Sequence, residues 1–382
     1  VLRIVLLPHY SWHMSSISSA ASIPVLQHDA IALKQWIKQQ ALALGFADCV
    51  IAKPDAQAEM PRFEEYLKRG YHADMHYLEE NLEKRADPKL LVPGTKSIIC
   101  VRMNYLVETP KPRYVPNEPN SAIIARYARG RDYHKIMRGR LKTLASKIKE
   151  KVGEFESRPF ADSAPIFEKS LAESAGMGWT GKHTLLIHKK SGSFFVLGEL
   201  FTSLDLPFDE PATAHCGSCS ACIDICPTQA IVEPYMLDAR RCIAYLTIEY
   251  KGIIAEELRA GIGNRIFGCD DCQLICPWNS FAQKASISDF NPRHGLNDIS
   301  LLEIWQWDEL TFLTHTEGSP IRRTGYQSFK RNIAIGLGNA PYSGLIVEQL
   351  IQAKSQHDDI VNVHIDWAIE QQLLKQLASQ QK

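Results

Sequence analysis

Two cysteine runs constrain this chain more than any other feature of it. The first, "CGSCSACIDICP", sets Cys216, Cys219, Cys222 and Cys226 in C-x2-C-x2-C-x3-C-P order. The second, "GCDDCQLICPWN", repeats the ending with Cys269, Cys272, Cys276 and Pro277, but Ile266 stands where its first cysteine belongs. In such a run three thiolates hold one [4Fe–4S] cluster and the fourth cysteine ligates the other. Cluster one then takes Cys216, Cys219, Cys222 and Cys276. Cluster two takes Cys226, Cys269 and Cys272, and a single cysteine remains in the region to complete it, Cys242 in "DARRCIAYLTIEYKG". The missing ligand has moved upstream across an insertion of 26 residues. Structural zinc is the plainer use of C-x2-C pairs, but it leaves both x3-C-P endings unexplained.

Eight of the ten cysteines fall between residues 216 and 276. That crowding points to metal ligation in a reducing cytoplasm, not to the disulfides of a secreted chain. Cys49 and Cys100 stand in apolar runs and read as inert core thiols. The formal net charge is zero, so no global field marks a nucleic-acid or membrane binder. No apolar run has the length that a bilayer span requires. Residues 1–27, rich in Ser and Ala and containing Met14, are expected to be a disordered leader or an over-extended start of translation.

The pattern predicts an α+β chain in three parts. Residues 28–205 alternate helix and strand, as in "DAIALKQWIKQQALALGF" with Asp29 as N-cap, "ADCVIA" and "SIICVRM", which implies an α/β domain with a mixed sheet. "TLLIHKKSGSFFVLGEL" predicts a hairpin around Lys190-Ser191-Gly192. Residues 206–292 form a ferredoxin-like domain with two clusters. Residues 293–382 are a helical tail in which "SFKRNIAIGLGN" and "VNVHIDWAIEQQLLKQL", separated by a turn at Asn339-Ala340-Pro341, resemble one HEAT-like unit.

Gly176, Gly178 and Gly181 match G-x-G-x-x-G, yet they follow an apparent helix, so the dinucleotide reading fails its context. A P-loop fails too, because His183 stands where Ser or Thr should meet magnesium. A helix C-cap followed by a turn explains the same glycines. Asp162 ends a strand-like run, "SRPFAD"; by itself it reads as a turn aspartate, and as a general acid only if burial raises its pKa.

The stretches "ADSAPIFEKSLAESAGMGWTGKHTLLI", "CGSCSACIDICPTQAI" and "GCDDCQLICPWN", together with "KRADPKLLVPGTKSII", "ARYARGRDYHKIMRGRL" and the C-terminal "KRNIAIGLGN", resemble the epoxyqueuosine reductase family over residues 29 to 370. Corrinoid-dependent reductive dehalogenases are its distant relatives. The resemblance implies an oxidoreductase of queuosine biosynthesis that uses cobalamin and two [4Fe–4S] clusters on the wobble nucleoside of a tRNA anticodon loop. It implies Asp162 as proton donor, and Arg85, Tyr127, His134, Lys182 and Asp270 beside the corrinoid. It also implies a cytoplasmic, monomeric protein fed by an external low-potential donor of the ferredoxin or flavodoxin type. The D-x-H-x-x-G signature of histidine-ligated cobalamin is absent, since Met137 fills the glycine position after Asp132 and His134, so no histidine is expected below the cobalt. Arg240, Arg241, Arg322, Arg323, Lys330 and Arg331 are the cations expected to face tRNA. The competing readings are a small-molecule dehalogenase and a ferredoxin-like electron carrier.

Overall fold

The computed structural model describes residues 30–108, 118–354 and 356–381. The expected leader and the Asp29 cap lie outside them. Four strands, β1 (Asp48–Ala52), β2 (Ser97–Asn104), β3 (Ser157–Phe160) and β4 (Phe195–Thr202), form one sheet in the order β1-β2-β4-β3. Every ladder in it is antiparallel, where a mixed sheet was expected. Antiparallel neighbours need no right-handed crossover helix between them.

Both faces of this sheet are covered, which is why β2 reads as an unbroken apolar run. Ile99 and Val101 pack with Ile37 of helix α1 (Ala30–Ala43) and with Met137, Leu141 and Leu144 of helix α2 (Tyr133–Val152). Ile98 and Cys100 pack on the other side with Leu171 and Ala172 of helix α3 (Glu168–Ser174). Cys49 and Cys100 are buried in these layers, and burial pushes the Cys49 thiol up to about 12. Both are unreactive core groups at neutral pH.

The expected hairpin does not form. Leu186–Ile187 pairs with Trp179–Thr180, β4 joins the main sheet, and only a bridge between His188 and Gly192 remains at the turn. The cause is the Asn279 carboxamide, whose Oδ1 accepts the Ser193 N–H at 2.6 Å and fills that corner. Gly176 has φ +82 just past α3, the left-handed residue that ends a helix. A Cβ on Gly178 would lie 2.2 Å from the Ile187 carbonyl oxygen. These glycines permit close backbone packing, which is the whole of their visible use.

A second core joins the cysteine region to the C-terminal helices. Ile243, Leu246, Ile262, Ile266 and Phe267 pack with Phe329, Ile333 and Leu337 of helix α4 (Tyr326–Asn339) and with Ile365 and Ala368 of helix α6 (Asp359–Gln380). Helix α5 (Gly344–Ala353) lies between them in the chain, where a single turn was expected. The early segment Ala122–Ala128 belongs to this core as well, and Ile123–Ile124 runs parallel to Arg265–Phe267. No helix among the described residues is long and apolar enough to cross a membrane.

Candidate active site

Each cysteine run folds the same way locally: a C-x2-C turn, a one-turn helix (Ala221–Asp224 or Asp271–Leu274), then a cysteine and proline. Cys216, Cys219, Cys222 and Cys276 line one cavity of about 310 Å³. Cys272 stands within electrostatic reach of Cys242 and Cys226, and Cys269 within reach of Cys272. Cys272 also lies within electrostatic reach of Cys222, so the two sets are neighbours. All ten cysteines are free thiols. Burial and the surrounding thiols push Cys222 up to about 11, so four thiolates can coexist there only around a cation that pulls the protons off.

The spacing of the sulfurs discriminates between metals. Tetrahedral zinc with bonds of ~2.3 Å draws its sulfurs to about 3.8 Å of one another. Among the described residues, the one group of three or more ligand atoms within 4.8 Å of one another is His72, His76 and Glu79. The cysteine sets are therefore wider than one zinc ion needs and fit a larger cluster. The histidine group is itself a hydrogen bond, His72 Nε2 to Glu79 at 2.6 Å, too short to admit an ion between the two.

A cleft of about 740 Å³ opens beside these sets, within the range of cofactor and ligand pockets. Asp162 sits in its wall with Arg85, Phe63, Phe167, Tyr66 and Tyr235. Tyr66 lies near Cys242 and Tyr235 near Cys216 and Cys222, so the cleft adjoins both thiol sets. Asp162 follows β3 with φ +54, a left-handed conformation that Asp tolerates better than most residues. Its Oδ2 accepts a 2.5 Å bond from the Tyr133 hydroxyl and lies 3.2 Å from His134 Nε2. His134 Nδ1 in turn meets Asp132 Oδ1 at 2.7 Å. The Asp162 side chain is 55% open to solvent, although protein crowds it closely on its other sides. Burial works to raise its pKa, but His134 and Tyr133 outweigh that and hold it below the usual carboxylate range. Burial opposes charge on His134, and Asp132 and Asp162 overcome it, so the imidazole pKa is raised. In this arrangement the proton rests on His134 and Asp162 is the anion.

The expected corrinoid residues divide. Asp162 and Arg85 line the cleft; Arg85 is buried with its guanidinium donating to the Tyr77 carbonyl at 3.1 Å. His134 lies behind Asp162, and the Tyr127 ring meets Tyr133 edge-on at 5.8 Å. Lys182 is elsewhere: it lines the cavity of the first thiol set and donates to the carbonyls of Gly217 and Cys219 at 2.8 and 2.9 Å. Asp270 is buried against Arg126, accepting from its backbone N–H and its guanidinium at 2.9 and 3.1 Å. Neither Lys182 nor Asp270 lines the cleft.

The expected tRNA cations divide too. Arg322 and Arg323 are exposed, and the charge of Arg323 reaches Asp162, Asp132 and His134. Arg240 is bound to Asp238, and Arg241 donates to the Thr228 carbonyl. Lys330 and Arg331 are corrected: they are 4% and 0% exposed. Lys330 donates to the Trp305 carbonyl, while Arg331 donates to the carbonyls of Tyr250, Gly252 and Leu246. A helix of apolar period whose cations face inward has buried them because loop carbonyls there need donors. Tyr133, Glu168 and Glu199 were not anticipated; the visible signal was a carboxylate inside the apolar strand "FFVLGELF".

Comparison with known proteins follows the same two regions. Residues 85–163 match the family described as epoxyqueuosine reductase QueG, DUF1730, and residues 215–279 match the 4Fe-4S double cluster binding domain. The chain is 49% identical over 343 residues to an epoxyqueuosine reductase of Pseudomonas aeruginosa, spanning 89% of this chain and 95% of that protein. It is 49% identical over 341 residues to the one from Escherichia coli, with 89% and 90% covered. The solved epoxyqueuosine reductase of Streptococcus thermophilus superposes with a TM-score of 0.81 at 26% identity, covering 90% of each chain. An epoxyqueuosine reductase bound to an epoxyqueuosine-modified tRNA-Tyr stem loop superposes with a TM-score of 0.77 at 25% identity, covering 90% of this chain and 100% of that one.

Proposed function

The chain belongs to the epoxyqueuosine reductase family, and from that premise we propose that it reduces epoxyqueuosine to queuosine at the wobble position of tRNA, using cobalamin and two [4Fe–4S] clusters. The observation that carries this reading is the cleft over Asp162, which has that carboxyl, backed by the His134 imidazole, in one wall and neighbours of both thiol sets in the others. Its size and its mixed lining of Phe63, Ile166, Phe167 and Arg85 fit a broad, partly apolar cofactor with polar edges. When bound there, cobalamin supplies the strongly reducing centre, and the protein supplies orientation and electrostatics. Cys216, Cys219, Cys222 and Cys276 hold one cluster, and Cys226, Cys242, Cys269 and Cys272 the other.

Conversion of an epoxide to an alkene consumes two electrons and two protons and releases the oxygen as water. Each cluster carries single electrons, which gives the pair a use. Both hydrogen bonds to Asp162 fall on Oδ2, leaving Oδ1 to meet the epoxide oxygen. Asp162 is an anion at rest, so it must take up a proton before it can deliver one as the ring opens, because an alkoxide leaves poorly. The protonated His134 is the source of that proton across the 3.2 Å contact, while Asp132 fixes the imidazole orientation and Tyr133 holds the carboxylate. Arg322 and Arg323, on the Asp162 side of the molecule, are the cations best placed for anticodon phosphates. We place the protein in the cytoplasm as a monomer served by a ferredoxin or flavodoxin type of donor.

The test is anaerobic turnover with cobalamin and a strong reductant on tRNA carrying epoxyqueuosine, read by the mass of the wobble nucleoside. Cobalamin-dependent loss of one oxygen is the expected result. No change, with corrinoid and clusters shown to be bound, would overturn it and point to a small-molecule substrate.

A further inference from the structure

Behind Asp162 lies a second pair of carboxyls that the reaction as described does not use. Glu199 is in the middle of β4, 0% exposed, opposite Cys100 on β2 and Phe160 on β3. Its strand neighbours Leu197 and Phe201 belong to the apolar layer beneath α3, so its side chain stands on that face. Neither of its oxygens has a hydrogen-bond donor in reach. What it does meet is the carboxyl of Glu168, the first residue of α3. Glu168 Oε1 meanwhile accepts the backbone N–H of Asp162 at 2.5 Å.

Glu168 is half-buried and lines the cleft, while Glu199 is enclosed under the apolar layer; two ionised carboxylates in contact there are strongly disfavoured. The closest cation in sequence, Lys169, donates to the Thr184 carbonyl at 2.7 Å and is not bonded to either. The other titrating groups facing the pair are Asp162, His134, Tyr133 and Cys100; the Tyr133 hydroxyl donates to Asp162, and none of the four side chains gives the pair a hydrogen bond. A single proton between the two carboxyls resolves the conflict: it removes one charge and gives Glu199 its missing partner. It also keeps Oε1 of Glu168 an acceptor for the Asp162 N–H, which holds a non-glycine residue in its left-handed turn. In agreement, burial pushes Glu168 up to about 7 and lifts Glu199 well above the carboxylate range.

We propose that Glu168, half-buried in the cleft wall, and the fully buried Glu199 share one proton, and that this pair is a positioning device that locks the Asp162 turn in place for proton delivery. Asp162's catalytic role rests on the function proposed above; the proton sharing does not.

The experiment is infrared spectroscopy of the protein with its clusters at neutral pH, with turnover on epoxyqueuosine tRNA measured in parallel for Glu199→Gln and Glu199→Leu. Ordinary carboxyls are ionised at neutral pH, so a protonated-acid carbonyl band that shifts in D2O is expected from this pair in wild type. It should vanish in Glu199→Gln, whose amide can still donate to Glu168 and should keep turnover within about threefold of wild type. Glu199→Leu should lose both the band and about a hundredfold in kcat by releasing the turn. Equal iron content in the three proteins shows that all have folded. Absence of the band in wild type, its survival in Glu199→Gln, or equal kcat for the Gln and Leu variants would overturn the proposal. If the tRNA proves not to be a substrate, the infrared result still decides the proton sharing, and the failure falls on the functional reading alone.

Discussion

The thiol sites and the acid cleft are specified over different distances along the chain. All eight proposed cluster ligands lie within residues 216–276, most of them in turns whose geometry follows from their own spacing. The groups that tune Asp162 come from the start of α2, the start of α3 and the middle of β4. A ligand set needs the right atoms at the right interval; a tuned acid needs an assembled environment. The first survives as a sequence pattern, and the second exists only after folding.

That contrast can be broken most severely at Cys242, the one ligand outside the repeated pattern. Cys242→Ala should halve the iron content and abolish turnover; an undiminished eight-iron protein would overturn the assignment. Asp162→Asn should do the reverse, keeping iron and corrinoid while kcat falls about 10²–10⁴-fold. Normal turnover there would remove the proton-donor role.

His134→Gln probes the same environment through pH. Because the imidazole pKa is raised, its contribution to stability is complete below about pH 6.5 and is lost as pH climbs through the raised value. Asp162 is lowered, so its contribution is complete above about pH 3.9 and is lost as pH falls through the depressed value. Wild-type turnover should therefore decline on the alkaline side, and the variant should lose that limb with about a tenfold lower rate. An unchanged profile would separate His134 from the proton supply. Smallest is Lys182→Met, which removes two bonds to the first thiol loop. The cost should be about 1–3 kcal/mol in thermal unfolding, with faster loss of the first cluster in air and no change in corrinoid affinity. Weakened corrinoid binding would return Lys182 to the cleft.

Legibility in the sequence follows the same division. The helix α1, the strands β1 and β2 and the two-cluster cysteine domain were readable, because apolar period and ligand interval are local. The hairpin at Lys190-Ser191-Gly192 was not, since a side chain 86 positions away takes its corner. Lys330 and Arg331 read as surface cations because their charge is visible and the carbonyls they serve, between Leu246 and Gly252 and at Trp305, are not. Asp162 was readable by resemblance, while its partners Tyr133 and Glu199 carried no pattern beyond one carboxylate in an apolar run.

The parallel pairing of Ile123–Ile124 with Arg265–Phe267 has a consequence for how the protein is made. A strand that leaves the ribosome early must wait for a partner about 140 residues later, and such long loop closures are slow. Ala122, Ile124 and Ala128 stay uncovered until the helices beyond residue 326 are synthesised. The cysteines emerge before that closure, so their thiols are made while the second core is still open. Cutting the cysteine region out as a separate module would remove both the first and the last pieces of its own core.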